Sequence, residues 1–238
     1  MTIKNMDGGA AHERSYRELG FAAQRRYPNE ELLRFMGRRY FGIPREARSA
    51  IRMLEVGCGS GANLWMIARE GFEAHGLEIS VTGVKLCEDM LHQWGTVAAI
   101  SVGDMTSIPY PDRHFDAVID VYSAYCLTEA QFGVFLNEAA RVLKPGGRFF
   151  AYTPAKNSDA FRNPGASQLI DPSTLEGITR PTAAYTGSHY PFRFITGEEH
   201  AKALEQRGLS VSYNEAVSRT YQNGREYFEF VVIEAQRS

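Results

Sequence analysis

The chain has 238 residues, which is enough to bury one sizeable core and is a common length for a single α/β domain. Hydrophobic residues make up 44% of the sequence and charged residues 23%, close to globular averages, so a disordered or fibrous protein is excluded. The formal net charge of -2 offers nucleic acid little general attraction, and no nucleic-acid partner is expected.

Residues 1–50 precede the regular pattern of the chain, and we expect them to form a helical cap segment. Apolar residues at helical spacing predict a helix over residues 29–41. Residues 1–52 carry one lysine and ten arginines against six acidic residues. This positive excess has two interpretations, a solvated helix face or a patch that receives an anionic substrate. Tyr16 and Tyr27 are candidates for covering a cofactor.

From residue 51 onward, apolar runs alternate with helical patterns, which is typical of βα units and a parallel sheet. Strands are predicted at residues 51–56, 72–77, 97–102, 115–121 and 148–153. One predicted helix follows the glycine-rich stretch after residue 56, and a second is capped by Ser80. A capping box of Thr128 and Gln131 opens a third. We expect residues 51–154 to form a cofactor-binding core.

Residues 155–195 interrupt this alternation with a long connection that contains four prolines and five aromatic residues. Long connections in compact domains are commonly functional, and the aromatic content favours a cap over the substrate. A second capping box, Thr196 with Glu199, predicts a helix that ends near Gly208. Two strands, predicted at residues 209–217 and 227–235, complete a C-terminal part over residues 196–238 within one domain.

A glycine-rich turn follows the first predicted strand and opens a helix. Gly57, Gly59 and Gly61 have no side chains, so a ligand can approach the backbone and the helix N-terminus closely. Glu78 comes about 20 residues after Gly57, at the end of the second strand, a spacing that places a carboxylate on ribose hydroxyls. The two features together predict a nucleotide-type ligand.

The same turn also satisfies the dinucleotide fingerprint, so an oxidoreductase is an alternative at this point. Tyr152 and Lys156 have the spacing that short-chain dehydrogenases place on a helix for proton transfer. Pro154 lies between them and breaks helical geometry, which argues against that alternative.

Five motifs occur in order, at residues 55–61 (EVGCGSG), 76–79 (GLEI), 103–105 (GDM), 115–119 (FDAVI) and 143–147 (LKPGG). In order and spacing they resemble the class I S-adenosylmethionine-dependent methyltransferases. The resemblance implies a Rossmann-like α/β fold, a three-layer αβα sandwich whose mostly parallel seven-stranded sheet has an antiparallel last strand. It also implies S-adenosyl-L-methionine as the cofactor and methyl transfer as the reaction.

The resemblance also assigns cofactor contacts to the matching positions. These are Glu55, Gly57, Cys58, Gly59, Gly61, Glu78, Ile79, Asp104, Met105 and Asp120. Glu55 would lie near the amino group of the cofactor, and Glu78 would accept the ribose hydroxyls. Asp104 would take the adenine amino group and Met105 would lie along the adenine ring. Asp120 would face the methionine end.

The catalytic candidates follow from what methyl transfer needs. The protein chiefly aligns donor and acceptor, and a base is needed only if the acceptor is protonated. Many relatives carry an asparagine and paired histidines after the fourth strand, whereas this chain reads VYSAYC over residues 121–126 and has no NPPY-like element. This departure weakens the case for methylating the exocyclic amine of a nucleobase or a glutamine amide. His189, Tyr122 and Tyr125 are the candidates, and each can equally be a pocket wall.

Metal and membrane features are not expected. Cys58, Cys87 and Cys126 are scattered and lack metal-ligand spacing, so reduced thiols and no bound metal are predicted. Apolar stretches fall short of the roughly 20 residues of a spanning helix, and the N-terminus lacks the apolar core of a signal peptide. We therefore expect a cytoplasmic protein without membrane contact.

Taken together, these features predict a methyltransferase that acts on an oxygen or nitrogen atom of a small molecule, with an anionic or sugar-like acceptor favoured. An RNA methyltransferase that uses the arginines of the N-terminal segment is one alternative, and a non-catalytic adenosyl-binding module is another. The sequence predicts no particular oligomeric state.

Overall fold

The structure is a computed structural model that describes residues 8–238. The helices are α1 Gly8–Leu19, α2 Glu30–Arg39, α3 Leu64–Arg69, α4 Val81–Gln93, α5 Glu129–Val142, α6 Asp159–Arg162 and α7 Gly197–Glu205. The strands are β1 Arg52–Val56, β2 Glu73–Glu78, β3 Ala99–Val102, β4 Phe115–Val121, β5 Leu143–Pro154, β6 Leu169–Asp171, β7 Thr174–Leu175, β8 Phe192–Arg193, β9 Leu209–Tyr221 and β10 Glu226–Arg237. Short 3-10 helices lie at Gly20–Ala23, Arg45–Ala50 and Ala124–Cys126.

Seven strands form one sheet in the order β3-β2-β1-β4-β5-β10-β9. Neighbours among the first five are parallel, whereas β10 runs antiparallel to both β5 and β9. The strand order reverses between β1 and β4, and ligands of open α/β sheets bind at the carboxyl ends of the strands at such a point. The predicted Rossmann-like sheet, with its last strand antiparallel, is confirmed.

Helices cover both faces of the sheet and give two apolar cores. On one face, Phe35 of α2 stacks on Phe150 of β5 with ring centroids 4.8 Å apart. On the other face, α5 buries Phe135 and Leu136 in a core that also contains Leu204 of α7. The three-layer arrangement predicted from the resemblance is therefore present.

Local sequence signals set several helix ends. Both predicted capping boxes are formed, Thr128 with Gln131 at α5 and Thr196 with Glu199 at α7. The Asn29 side chain accepts hydrogen bonds from the first turn of α2, close to the start of the predicted helix. Across residues 8–238, no helix has the length and apolar character needed to cross a membrane.

Helix α1 has no counterpart among the predicted elements. It buries only Gly8 and Tyr16, so its sequence lacks the apolar stripe that marks an amphipathic helix. Its position comes from long-range contacts, since Gly8 packs against Cys126 and Gly9 against Ile79. The predicted helical cap segment therefore contains one more helix than the sequence indicated.

Residues 155–195 have more order than the predicted connection. They contain α6 and a small antiparallel sheet in the order β6-β7-β8. Phe192 and Phe194 are fully buried in the core that α2 and β5 share. This segment is therefore anchored in the fold by part of its aromatic content.

Candidate functional site

The glycine-rich turn between β1 and α3 lies at the strand-order reversal and is closely packed. Gly57 and Gly59 have φ angles of 59° and 52°, which other residues rarely adopt. A Cβ atom at Gly57 would come within 2.3 Å of the Ser123 Cβ, and one at Gly59 within 2.8 Å of the Tyr16 hydroxyl oxygen. Both positions require glycine, and the turn presents backbone to a ligand.

Glu78 ends β2 beside this turn and is 4% exposed. Its Oε2 accepts a hydrogen bond from the Gly59 N–H at 2.9 Å, and its Oε1 accepts one from the Ser80 N–H at 2.9 Å. Burial raises the pKa of Glu78, while these backbone bonds oppose the rise by favouring the charged form. Because a carboxylate has about four acceptor sites, Glu78 can still accept two ribose hydroxyls.

A cavity of about 450 Å³ opens beside Glu78. The predicted cofactor residues that line it are Gly57, Glu78, Ile79, Asp104 and Met105. The exposed Asp104 carboxylate accepts a hydrogen bond from the Thr106 N–H at 2.8 Å, and Met105 packs against the adjoining apolar core. The cavity thus combines two carboxylates with an apolar wall.

A larger cavity of about 940 Å³ shares His12, Tyr16, Gly57 and Tyr122 with the first. We call these four residues the shared wall. The glycine-turn side of the larger cavity includes the predicted residues Glu55, Cys58 and Gly59. Aromatic side chains form much of its remaining lining, namely Tyr125, Tyr152, Tyr185, Tyr190, Tyr221 and Phe230. The two cavities therefore meet beside the turn.

Glu55 brings a buried carboxyl group to the larger cavity. Its Oε1 accepts a hydrogen bond from Asn63 Nδ2 at 2.6 Å, whereas Oε2 has no hydrogen-bond partner among residues 8–238. Burial raises the pKa of Glu55 to about 8. A buried carboxyl oxygen without a partner suits a cationic group of a ligand, because the pair would compensate both charges.

Two predicted cofactor residues lie outside the linings of both cavities. Asp120 Oδ1 accepts hydrogen bonds from Ser123 Oγ at 2.6 Å and from the backbone N–H groups of Ser123 and Ala124 at 3.0 and 3.1 Å. Gly61 packs against Cys87 of α4. Asp120 therefore holds the turn that places Ser123 against Gly57, and Gly61 lets the glycine turn approach α4.

The predicted catalytic residues line the larger cavity in different settings. Tyr122 follows β4 with a φ of 59°, a conformation that is uncommon outside glycine, and it belongs to the shared wall. Tyr125 is buried nearby, and burial raises the pKa of both phenols well above the ordinary value. Both therefore stay protonated at neutral pH. His189 lies on the exposed side of the cavity.

His12 of α1 is a residue of this site that the sequence motifs did not reveal. It occupies the shared wall together with Tyr16, one helical turn later. The four-residue spacing of these two side chains, which puts them on one helix face, was the available signal. Of the two tyrosines considered as covers, Tyr16 lies over Gly59, whereas Tyr27 is 65% exposed and contacts Trp94 edge-on.

Comparison with known proteins agrees with this geometry. Residues 54–151 match a protein family described as a methyltransferase domain. Over 107 residues the chain is 40% identical to a fatty-acid O-methyltransferase of Mycolicibacterium smegmatis, a match that covers 44% of this chain and 37% of that protein. This segment of the chain is therefore similar to a methyltransferase domain. A solved structure from Methanosarcina mazei that is described as a SAM-dependent methyltransferase has a TM-score of 0.63 at 20% identity, covering 78% of this chain and 92% of that one.

The chain is also 35% identical over 97 residues to a demethylmenaquinone methyltransferase of Tropheryma whipplei, a match that covers 40% of this chain and 38% of that protein. It thus spans under two-fifths of each of these two relatives. A Burkholderia thailandensis 1,6-didemethyltoxoflavin-N1-methyltransferase with bound S-adenosylhomocysteine has a TM-score of 0.65 at 13% identity, covering 96% of this chain and 85% of that one. That likeness shows the fold.

The residues of this site fit S-adenosylmethionine on three observations. Gly57 and Gly59 of the glycine turn line the cavities, so a ligand can approach backbone that carries no side chain there. The unpartnered Glu55 oxygen suits the amino group of a methionine moiety. The smaller cavity offers Glu78 for ribose hydroxyls and Asp104 with Met105 for an adenine ring.

Proposed function

We propose that the protein transfers the methyl group of S-adenosylmethionine to an oxygen or nitrogen atom of a small molecule. The observation that carries this proposal is the shared wall between the two cavities. The smaller cavity has the polar groups that an adenosyl moiety needs, and the larger one leaves room for an acceptor. Donor and acceptor atoms would meet at the shared wall, and such alignment is the main contribution a protein makes to a displacement reaction.

The cofactor-binding residues have separate tasks in this proposal. Glu78 holds the ribose hydroxyls, Asp104 the adenine amino group, and Met105 packs on the adenine ring. Glu55 pairs with the amino group, and Asp120 supports the turn without touching the ligand. The backbone of the glycine turn, including Cys58, approaches the methionyl part. When bound, S-adenosylmethionine supplies an electrophilic methyl group on sulfur.

The lining of the larger cavity supports an acceptor with an apolar body and an anionic group. Its aromatic rings offer apolar surface at low entropic cost. Arg14, Arg25 and Arg219 also line it, are exposed, and have no ion-pair partner among residues 8–238. The fatty acid and the demethylmenaquinone in the names of two relatives are both small molecules. A sugar-like acceptor would find polar side chains such as Ser15 and Gln24 in the same lining.

The remaining arginines of the N-terminal segment favour a small acceptor over RNA. Arg38 and Arg39 both pair with the buried Glu234, at 2.5 and 2.8 Å. Arg48 pairs with Glu70 at 2.5 Å. Much of the local positive excess is thus paired within the fold instead of lying on a solvated helix face, while Arg14 and Arg25 fit the second interpretation, a patch for an anionic substrate.

The test is methyl transfer from tritium-labelled S-adenosylmethionine to 2-naphthol, 2-naphthoate, decanoate, 4-nitrophenyl glucoside or total bacterial RNA. We expect label in at least one small probe and none in RNA. Label in RNA alone would favour the RNA methyltransferase. Binding of S-adenosylhomocysteine by calorimetry without label in any substrate would favour the non-catalytic module.

A further inference from the structure

His12 is the one histidine among residues 8–238 that lines both cavities. We propose that His12 accepts a proton from the acceptor during methyl transfer, and that the acceptor therefore reacts through a hydroxyl or amine group. This inference rests on the proposed function and narrows it. A carboxylate or another atom without a proton would give His12 no task.

The contacts of His12 place its imidazole at the end of a short polar row. His12 Nε2 lies 3.5 Å from the Tyr125 hydroxyl oxygen, which lies 2.9 Å from the Tyr190 hydroxyl oxygen. The second contact has ordinary hydrogen-bond length, whereas the first is at the outer limit. An acceptor hydroxyl can therefore replace Tyr125 at Nε2 at small cost, and catalytic hydrogen bonds are often long before the substrate binds.

The surroundings of His12 also favour the neutral imidazole that a base requires. Burial lowers the pKa of His12, because charge on the ring would be poorly solvated. The rings of Tyr190, Tyr125 and Tyr16 lie 5.2, 6.3 and 6.3 Å from the imidazole by their centroids. These neighbours are neutral phenols, so none compensates a positive charge on the ring.

The other candidate bases of the site are less suited to this step. Burial raises the pKa of Tyr122, Tyr125 and Tyr190, so these phenols are protonated at neutral pH. Glu55 is bonded to Asn63 and would be paired with the cofactor amino group. His189 is exposed and lines the larger cavity without lining the smaller one.

The step is balanced without any further reactant. A lone pair of the acceptor oxygen or nitrogen forms a bond to the methyl carbon, while the methyl–sulfur bond breaks and its electron pair stays on sulfur. The proton of the acceptor passes to His12 Nε2. His12 then returns it to water on the open side of the larger cavity, where Arg14 and His189 are exposed.

The first experiment compares His12→Gln with wild type in single-turnover transfer to 2-naphthol. His92→Gln is the matched control, because His92 is exposed in the last turn of α4 and lines neither cavity. We expect His12→Gln to lose about 10²–10⁴-fold in rate, the range for a general base. Its affinity for S-adenosylhomocysteine should stay within about threefold, under 1 kcal/mol. The proposal would be overturned if His12→Gln transferred methyl groups at the wild-type rate. It would also be overturned if the wild type methylated the carboxylate probes alone.

The pH dependence of the transfer rate distinguishes a general base at His12 from a residue that only packs in the cavity wall. The wild-type rate should fall as pH drops through the pKa of His12, which burial places below its ordinary value, and His12→Gln should lack this fall. The titratable groups around His12 are Tyr125, Tyr190, Tyr16 and the Cys126 thiol on the neighbouring 3-10 helix. None of them ionises with a fall toward acid pH. Measured at saturating S-adenosylmethionine, which removes the pH dependence that Glu55 gives to cofactor binding, the profile reports on the imidazole.

The protonation state of the His12 imidazole can be measured directly, without methyl transfer. Nitrogen NMR of histidine-labelled protein with S-adenosylhomocysteine should show His12 neutral at pH 7, with Nε2 unprotonated and shifting when 2-naphthol is added. A cationic ring, or a proton fixed on Nε2, would overturn the inference. Failure of the proposed function has a different signature, since wild type would then label no probe at all.

Discussion

At the residue scale, three carboxyl groups around the glycine turn are buried, and burial raises the pKa of each. Glu78 has both oxygens bonded to backbone N–H groups. Asp120 uses one oxygen to hold the turn after β4. Glu55 alone brings an unpartnered oxygen to a cavity lining. The three differ in function because their partners differ, although their burial is similar.

Glu55 should make cofactor binding depend on pH. Its pKa of about 8 keeps it largely protonated at pH 7 in the free protein, whereas pairing with an ammonium group requires the ionised form. Binding of S-adenosylhomocysteine should therefore release about one proton, and affinity should rise from about pH 6 toward pH 8. Calorimetry in two buffers of different ionisation enthalpy measures this release. Glu55→Gln should abolish it, and no release in wild type would remove Glu55 from the amino-group site.

Glu78→Gln should weaken binding of S-adenosylhomocysteine by about 1.5–3 kcal/mol, roughly ten- to a hundredfold. That is the range for hydrogen bonds to a charged group. Titration calorimetry measures the affinity, and thermal unfolding checks that the variant is folded. Glu88→Gln, on the exposed face of α4, is the control with the same chemical change. Unchanged affinity in a folded Glu78 variant would show that the ribose is held elsewhere.

At the scale of elements, α1 is fixed to the N-terminus of α4 by one carboxylate. Glu13 accepts hydrogen bonds from Ser80 Oγ at 2.6 Å, from Thr82 Oγ1 at 2.6 Å and from the Thr82 N–H at 3.1 Å. An anion at a helix N-terminus is favourable because of the helix dipole. Since α1 carries His12 and Tyr16, this contact sets the position of half of the shared wall.

Glu13→Gln should loosen α1 without unfolding the sheet. We expect faster hydrogen exchange at the α1 amides and weaker binding of S-adenosylhomocysteine, because the helix would leave the cavity wall more often. Glu18→Gln, exposed on the same helix, should change neither. If both variants exchange alike, the contact with α4 does not hold α1.

The effect of Glu13→Gln on hydrogen exchange in α1 should depend on pH. Hydrogen bonds from Ser80 and Thr82 lower the pKa of Glu13 to about 2. A lowered folded-state pKa means that the stabilisation is fully present above the ordinary value of 4.5 and is lost as pH falls through about 2. The difference in α1 exchange between wild type and Glu13→Gln should therefore shrink below about pH 4.5. A constant difference down to pH 2 would contradict the ionised contact.

Residues 155–195, which were predicted to form a substrate cap, contribute side chains both to the core and to the larger cavity. Tyr185 and Tyr190 line the larger cavity, while Phe192 and Phe194 fill the core. Removing the whole segment would expose that core, so its binding role is best tested by single substitutions at the cavity. Aromatic content alone indicated a cap over the substrate without separating these two uses.

At the scale of the whole molecule, thermal stabilisation by added ligands distinguishes an adenosylmethionine cofactor from a nicotinamide dinucleotide. A ligand that binds only the native state at 100 times its Kd adds about 2.7 kcal/mol, which corresponds to about 5–10 °C in Tm for a chain of this size. S-adenosylmethionine and S-adenosylhomocysteine should produce such a shift in a thermal melt, and NAD and NADP should not. Stabilisation by NAD alone would restore the oxidoreductase alternative.

The geometry of Tyr152 and Lys156 argues against the oxidoreductase alternative, because the two side chains do not lie together. Tyr152 lies in β5 and its ring stacks on Phe230 with centroids 4.5 Å apart. Lys156 instead forms an ion pair with Glu199 at 2.6 Å. A spacing of four brings side chains together only on a helix, and this stretch continues from a strand.

Much of the fold was predictable because its signals are local. The strand at residues 115–121, both capping boxes and the order of the glycine turn, Glu78 and Asp104 depend on side-chain periodicity and short spacings. A buried parallel strand needs a continuous apolar run, and a helix needs caps and a stripe, so both leave marks in the sequence. The family motifs follow the same strand ends, which is why they indicated the cofactor side of the site.

Only the tertiary structure decided which residues share a cavity. His12 lies far from the motifs in sequence and on a helix with little apolar pattern, so no local signal connects it with Tyr125 and Tyr190. Asp120 directly follows a motif, and its Oδ1 bonds to the next turn while its buried Oδ2 has no hydrogen-bond partner among residues 8–238. Such outcomes depend on how α1 and residues 155–195 pack over the sheet edge. Packing between distant segments is set by shape complementarity, which no short stretch of sequence contains.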